Sequence, residues 1–542
     1  MKNEIKNKIY LTITAVLAIM LFGCVESPEK AKDKTAPSLA ATSIPPGATI
    51  GTLTEAFAPE FIAVSGFAIV GGLNGTGSPE CPPVIRTYLS QYIRKNLPGR
   101  DSESFINSRD TAVVRIEGLL PTSSPKGGSF DIRVTALEGT QTTSLQNGQI
   151  YGAELRAAAS IGFTSKILAT VSGPIYIDRI DGPPNNFTTG YVFGGARVLD
   201  DHKAFLILRE PDYVIASAIR NKLIERFGDG IARAIDPGQV EINIPSRYRE
   251  QKQRFMRIIL ATHLQFNPEQ MSKAISEAVS VISGSGGNKD MAEIMIESIG
   301  LPARNQLTDL LDSSEQEVRL RAARCLLNIG RDEGFRALRQ IALDTKSPYR
   351  IDAIRAIMYA AKRNDAAAVA RRLLRDADID IRLEAYEQLR KFRDVSIDSE
   401  QIAGRFILEQ VAGTSHDTIY VSRSGYPRIA IFGGPIYCKE DVFIQSSDGA
   451  ITIDAQEGQN YVNVMRTMRN RPGSGPVTLR SSYRLTDIIR TLGADPISQD
   501  RQSRLGLAVP YAEIISMLKE MVEKDGVEAE FKAGPMTQIS FK

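Results

Sequence analysis

Residues 206–245 read LILREPDYVIASAIRNKLIERFGDGIARAIDPGQVEINIP, and the spacing of apolar residues changes twice within them. The opening run, part of KAFLILREP, is short and β-rich, and the closing QVEINIP is another such run. Between them Pro211 and Asp212 suit a helix start, and Val214, Ala218, Ile219, Leu223 and Ile224 recur at helical spacing. A strand, a helix and a strand in this order predict an α+β fold.

The pattern extends towards the amino terminus. From about Phe61 to Pro245 short β-rich runs such as FAIVGGL, TAVVRIEGLLP, SFDIRVTAL and QIYGAELRAAAS alternate with Gly and Pro, interrupted by a second helical segment over Pro83 to Asn96. Towards the carboxyl terminus, between about Arg247 and Arg405, strands give way to an Ala-, Arg- and Leu-rich segment with an internal repeat. VRLRAARCLLNIG from Val318, YRIDAIRAIMYAA from Tyr349 and IRLEAYEQLRKF from Ile381 share apolar positions at offsets 0, 4, 8 and 11. An arginine follows the first residue each time, at Arg319, Arg350 and Arg382, and an aspartate precedes each copy, at Asp312, Asp344 and Asp376. One such unit cannot bury its own apolar face, so copies are expected to stack into an α-solenoid; an irregular helical bundle is the alternative. β character returns near Ile407, and the chain closes on two amphipathic helices and a strand. Expected domains are therefore 1–24, 25–59, 60–245, 246–405 and 406–542, with the solenoid interrupting the α+β protein.

The first 24 residues differ from all of these. Lys2, Lys6 and Lys8 precede an apolar run from Ile9 to Leu21, the pattern of an export signal. It ends in Leu21-Phe22-Gly23-Cys24, which resembles a bacterial lipobox and makes Cys24 the candidate lipidation site; a plain secretory signal or an uncleaved anchor is the other reading. Val25 and Glu26 carry no aspartate-type inner-membrane retention signal, which favours the outer membrane. Residues 25–59, rich in Ser, Pro and Ala, read as a flexible tether.

The 66 basic and 63 acidic residues nearly cancel and are interleaved, which gives nucleic acid no footprint. His202, His263 and His416 lie far apart and no Cys-x-x-Cys occurs, so no metal site is expected. Of the cysteines left after Cys24, Cys325 falls on a helical face, and Cys81 with Cys438 is the disulfide to test.

The stretch FAIVGGLNGTGS, Phe67 to Ser78, is the one place that invites a phosphate. Gly72 and Gly77 have P-loop spacing, but Ser78 stands where the lysine belongs and Pro79, Pro82 and Pro83 delay the helix whose amides would face the anion. The glycine order is also reversed relative to a dinucleotide fingerprint. Gly72, Asn74, Gly75 and Gly77 are instead expected to be structural: a tight turn at a strand end and a close approach of backbones. Ser65 and Ser422 have no nearby histidine, and Asp200-Asp201 and Glu440-Asp441 read as solvated loop charges. No catalytic residue and no cofactor are expected.

Together these stretches resemble a family. SGFAIVGGLNGTGS is similar to the GYGLVVGLNGTGD element of bacterial flagellar P-ring proteins. DTAVVRIEGLLPTSSPKGGSFDIRVTALEGT and the 206–245 stretch resemble two further elements of that family, the second most specifically. RIAIFGGPIYCKEDVFIQSSDGAITI and the closing helices resemble its far end. The resemblance covers roughly residues 60–245 and 415–532. It implies an exported, non-catalytic subunit of a homo-oligomeric periplasmic ring around the flagellar rod. Its expected partners are other copies, rod and L-ring proteins and peptidoglycan, with the membrane reached through the lipid and an unidentified protein on the solenoid. Lipidation and the helical segment depart from the family, and a non-flagellar envelope scaffold lipoprotein that uses HEAT-like repeats to bind a protein is the alternative.

Overall fold

The computed structural model describes residues 44–539 except 46, 98, 100, 160–164, 183–185, 447, 468–474 and 497–505. The signal segment and Cys24 lie outside the described residues.

The described chain opens with helix α1 (Ile50–Leu53) and strand β1 (Thr54–Phe57), followed by β2 (Phe61–Gly71), α2 (Pro83–Asn96) and α3 (Ser102–Ile106). Next come β3 (Thr111–Pro121), β4 (Ser129–Ala136), β5 (Gln149–Ala157), β6 (Ile167–Pro174), β7 (Thr189–Val198) and β8 (Ala204–Leu208). Helix α4 (Tyr213–Phe227), β9 (Ala232–Asp236) and β10 (Gln239–Ile242) complete this part.

Six of these strands close into a barrel in the order β2-β3-β4-β7-β6-β5. β2 pairs with β3 along its whole length, from Phe61 opposite Pro121 to Gly71 opposite Thr111, and its far edge meets β5 at both ends. Strand β4 alternates strictly, sending Phe130, Ile132 and Val134 inward against Val64, Val114, Ile150 and Val171. At the end of β2 the outer face is covered too, since Ile69 and Val113 pack on Leu89 and Ile93 of α2 and Ile106 of α3. Burial on both sides makes FAIVG read as a continuous apolar run rather than an alternation.

The other strands form a sheet ordered β1-β8-β10-β9. Its inner face, with Leu206 and Val240, packs on Ile215, Ala216, Ile219 and Leu223 of α4. Of the expected stripe Ile219 and Leu223 are buried and Ile224 partly so, whereas Val214 faces solvent and Ile215 and Ala216 pack instead; Asp212 caps the helix, accepting from the amides of Val214 and Ile215. The expectation of a tether to residue 59 is corrected here. Ile50 is fully buried against Leu206 and Val240, and β1 pairs with β8 from Thr54 opposite Leu208. Buried Ala48, Ile50 and Thr54 anchor a segment whose composition reads as linker.

Nine helices follow among the described residues: α5 (Lys252–Ala261), α6 (Pro268–Ser283), α7 (Lys289–Ile299), α8 (Arg304–Asp309), α9 (Gln316–Asn328), α10 (Asp332–Leu343), α11 (Arg350–Ala360), α12 (Arg363–Leu373) and α13 (Ile379–Phe392). The three repeat copies are α9, α11 and α13. They pack side by side, with α10 and α12 between them in sequence. Of the apolar offsets, Val318, Ala322 and Leu326, then Ala353 and Ile357, then Ile381, Ala385 and Leu389 are buried, whereas Tyr349 and the last position of each copy, Ile329, Ala360 and Phe392, are only partly so. Helix α5 belongs elsewhere, as Phe255, Met256 and Ile259 fill the core beneath the β1-β8-β10-β9 sheet.

The carboxyl-terminal strands begin earlier than residue 406, with β11 (Ile397–Ile402) in a hairpin with β12 (Phe406–Val411). They continue with β13 (Thr418–Val421), β14 (Arg428–Phe432), β15 (Val442–Gln445), β16 (Ile451–Ala455), β17 (Val462–Arg466) and β18 (Val477–Ser481). Helices α14 (Leu485–Gly493) and α15 (Tyr511–Glu523) and strand β19 (Glu530–Ala533) close the chain. One sheet is ordered β11-β12-β14-β13-β19 and the other is the meander β15-β16-β17-β18. The first is buried on both faces. Ile419, Ile429 and Ile431 point towards α14, α15 and the meander, whereas Tyr420, Ala430 and Phe432 point into the core of α11, α12 and α13. The helical segment therefore shares a core with the sheet that follows it.

Candidate functional site

The glycine segment holds a turn at Asn74 and Gly75. Gly72, Asn74 and Gly75 have φ of 80°, 52° and 88°, and positive φ at two successive turn residues is a conformation that Asn-Gly adopts at low cost. Gly77 meets backbone, since a Cβ there would lie 2.1 Å from the carbonyl oxygen of Thr111. The amides a phosphate would need are taken: those of Leu73, Gly77 and Ser78 donate to the carbonyls of Asp110, Arg109 and Thr111. No helix starts at Ser78; α2 begins at Pro83.

The arginines that mark the repeat are internal staples. Nη1 of Arg319 donates to the carbonyls of Ser313 and Ser314, and Nη1 of Arg382 to those of Asp376 and Ala377, the equivalent turn two copies later. Arg350 differs: its Nε reaches the carbonyl of Ala342 and its terminal nitrogens grip the carboxylate of Asp376. Arg350 and Arg382 are buried, and a buried guanidinium requires such acceptors.

The expected Cys81–Cys438 disulfide is not formed, and both are free thiols. Cys81 packs beside α2, whereas Cys438 lies in the core of the carboxyl-terminal sheets and bridges to Val527, and burial pushes its thiol up to about 11. Two cysteines remaining by elimination need not be neighbours.

Two charged sites have no signature in the sequence. The first joins the barrel to the carboxyl-terminal sheets. Strand β7 bulges at Phe193–Gly195, opposite Asp131 of β4. Gly194 has φ of 57°, and a Cβ there would come 3.0 Å from the amide nitrogen of Tyr426. The Asp131 carboxylate accepts from the amide of Gly194 at 2.7 Å and from that of Gly425 at 2.9 Å, and burial raises its pKa above the usual carboxylate value. Beside it Arg423 donates to Asp178 at 3.1 Å, to Asp181, and through Nε to the carbonyl of Gly534. Tyr176, Ile180 and Phe193 leave the barrel to enter the core of the other sheets. A cavity of about 680 Å³ runs along this seam, walled by Tyr151, Arg179 and Phe193 on the barrel side and by Arg405, Tyr426 and Glu513 on the other.

The second site is a buried ion cluster among the helices. Glu293, fully buried, accepts from Arg254 of α5 and from Arg321 and Arg324 of α9. Glu297 accepts from Arg254 at 2.6 Å and from Asn328 at 2.8 Å. With Cys325 these carboxylates have the spacing of metal ligands, but guanidiniums already hold the oxygens, so the chemistry of the group is that of an ion network.

Residues 58–286 match the family model described as "Flagellar P-ring protein". The span takes in the barrel, the β1-β8-β10-β9 sheet apart from β1, and α5 and α6, and so runs past residue 245. Similar curated proteins include the flagellar P-ring proteins of Anaeromyxobacter dehalogenans (strain 2CP-C), 25% identical over 41% of this chain and 62% of its own length, and of Thermotoga maritima, 25% identical over 36% and 60%. That of Helicobacter pylori (strain ATCC 700392 / 26695) is 27% identical over 34% and 52%. The chain thus spans 52% to 62% of the length of these relatives. Both comparisons support the flagellar P-ring family for the barrel-bearing part of the chain.

Proposed function

We propose that this protein is a non-catalytic structural subunit of a periplasmic homo-oligomeric ring around the flagellar rod. The match of residues 58–286 to flagellar P-ring proteins carries the reading. A backbone-sealed glycine turn and a barrel with glycine bulges suit a packing element. Partners on this reading are neighbouring copies, rod and L-ring proteins and peptidoglycan. The subunit is held near the outer membrane by a lipid on Cys24, and Arg319, Arg350 and Arg382 mark HEAT-like repeats that present a surface to a further protein. The experiment is deletion of the gene with electron microscopy of basal bodies. Motile cells with intact rings would refute the proposal; rods lacking a ring support it.

A second reading is favoured by the helices beyond residue 286, which lie outside the matched span. On it the protein is an envelope scaffold lipoprotein, and the same deletion would leave swimming normal while damaging the envelope.

A further inference from the structure

The last turns of α4 and α7 meet at Arg226. Its guanidinium lies on Gly300, where a Cβ would come within 2.2 Å of both terminal nitrogens. Nη2 donates to the carbonyl of Glu297 at 2.6 Å, one of the acceptors left over at the end of α7. That satisfies one N–H of the five. The Nε–H is buried without an acceptor, and no recorded ion pair among the described residues involves Arg226. The carboxylate of Glu297 is occupied by Arg254 and Asn328. Burial lowers the pKa of Arg226 and the positive charge of Arg247 adds to that effect, against the opposing pull of Tyr248, Glu297 and Glu225. Arg247 is exposed and makes no ion pair among the described residues; it lies over the ring of Tyr248, 4.7 Å from the centroid.

Both arginines line one cavity of about 140 Å³. Phe227, Tyr248, Ile258 and Ile329 give it apolar walls, and the amide nitrogen of Asn328 is already committed to Glu297. Glu297 lines the cavity as well, but Arg254 and Asn328 hold its carboxylate, so it gives the buried Nε–H of Arg226 no acceptor. Drug-sized ligands need roughly 300 Å³ or more, so a nucleotide or a sugar chain is too large. A planar carboxylate matches the fork of a guanidinium, and a short carbon stem matches the walls.

We infer that this pocket is an oxyanion site for a carboxylate on a short apolar stem, held by Arg226 and Arg247. The pocket draws its residues from α4, α5, the short turn before α5, α7 and α9. An occupant would touch both the P-ring-like part and the helices beyond it, and the inference does not depend on the ring reading.

The test is calorimetric titration of the purified full-length chain with sodium propionate, sodium phosphate and sodium chloride at matched ionic strength. Propionate is expected to bind at one site, more tightly than phosphate and with chloride silent. Loss of one charged hydrogen-bonding group weakens such binding about tenfold or more, the expectation for Arg247→Gln, which leaves the core untouched. Arg257→Gln, an exposed change on α5, should leave binding as it was. Arg226→Gln should abolish binding, with circular dichroism checking the fold. Absence of a propionate signal above chloride, binding of phosphate without propionate, or unchanged affinity in Arg247→Gln would each overturn the assignment.

Discussion

Glu293 shows what one side chain costs when it is wrong. It is fully buried and neutralises guanidiniums from two helices, so its loss strands charges rather than merely breaking contacts. Removing one member of a buried ion cluster destabilises by about 3–5 kcal/mol. Glu293→Ala should lower the urea midpoint accordingly, whereas Lys273→Ala, which removes an exposed pair with Glu277, should change stability by less than about 0.5 kcal/mol. Asp394 gives the pH dependence. Its carboxylate receives two hydrogen bonds from Arg371 and one from the amide of Ser396, which hold its pKa down to about 2. A folded-state value below the unfolded one contributes stability that is complete above about pH 4 and is lost as pH falls towards 2. Arg371 is half exposed, so the contribution is about 1 kcal/mol. Urea midpoints of Asp394→Asn should fall by that much at pH 7 and converge with wild type near pH 2.

At the scale of elements, legibility followed sequence distance. The turn at Asn74 and Gly75, the cap at Asp212 and the repeat in α9, α11 and α13 are written in a few adjacent residues or a fixed period. The closure of the barrel is not, because it depends on β2 meeting β5 some eighty residues later. The seam was equally invisible, with Asp178 and Arg423 separated by 245 residues and by the entire helical segment. Burial of Ala48, Ile50 and Thr54 could not be told from linker composition, and cysteine parity carried no information on distance. Two element-level outcomes follow. Gly77→Ala drives a methyl into the carbonyl of Thr111, so it should cost more than Gly75→Ala, where only positive φ is penalised, by about 1 kcal/mol. Arg423→Ala should leave the barrel intact but speed hydrogen exchange at the Gly425 amide, which Asp131 protects across the seam.

For the whole molecule, the shared core of helices and sheet decides whether the helical segment is a cassette. Tyr420, Ala430 and Phe432 are covered by α11, α12 and α13. Excision of residues 287–392 should therefore bare an apolar sheet face and yield a chain that binds hydrophobic dye and aggregates. A soluble, folded product with native sheet content would show that the segment is separable.

Strand β1 carries a further consequence, one of timing. Thr54 waits for Leu208, so a chain emerging amino terminus first must add roughly 150 residues before its first strand has a partner. At ~5–20 residues per second that interval is on the order of ten seconds. Throughout it Ile50 and Leu53, which pack into the sheet's core in the folded protein, stay uncovered, which makes the earliest residues of the fold the ones most in need of a chaperone.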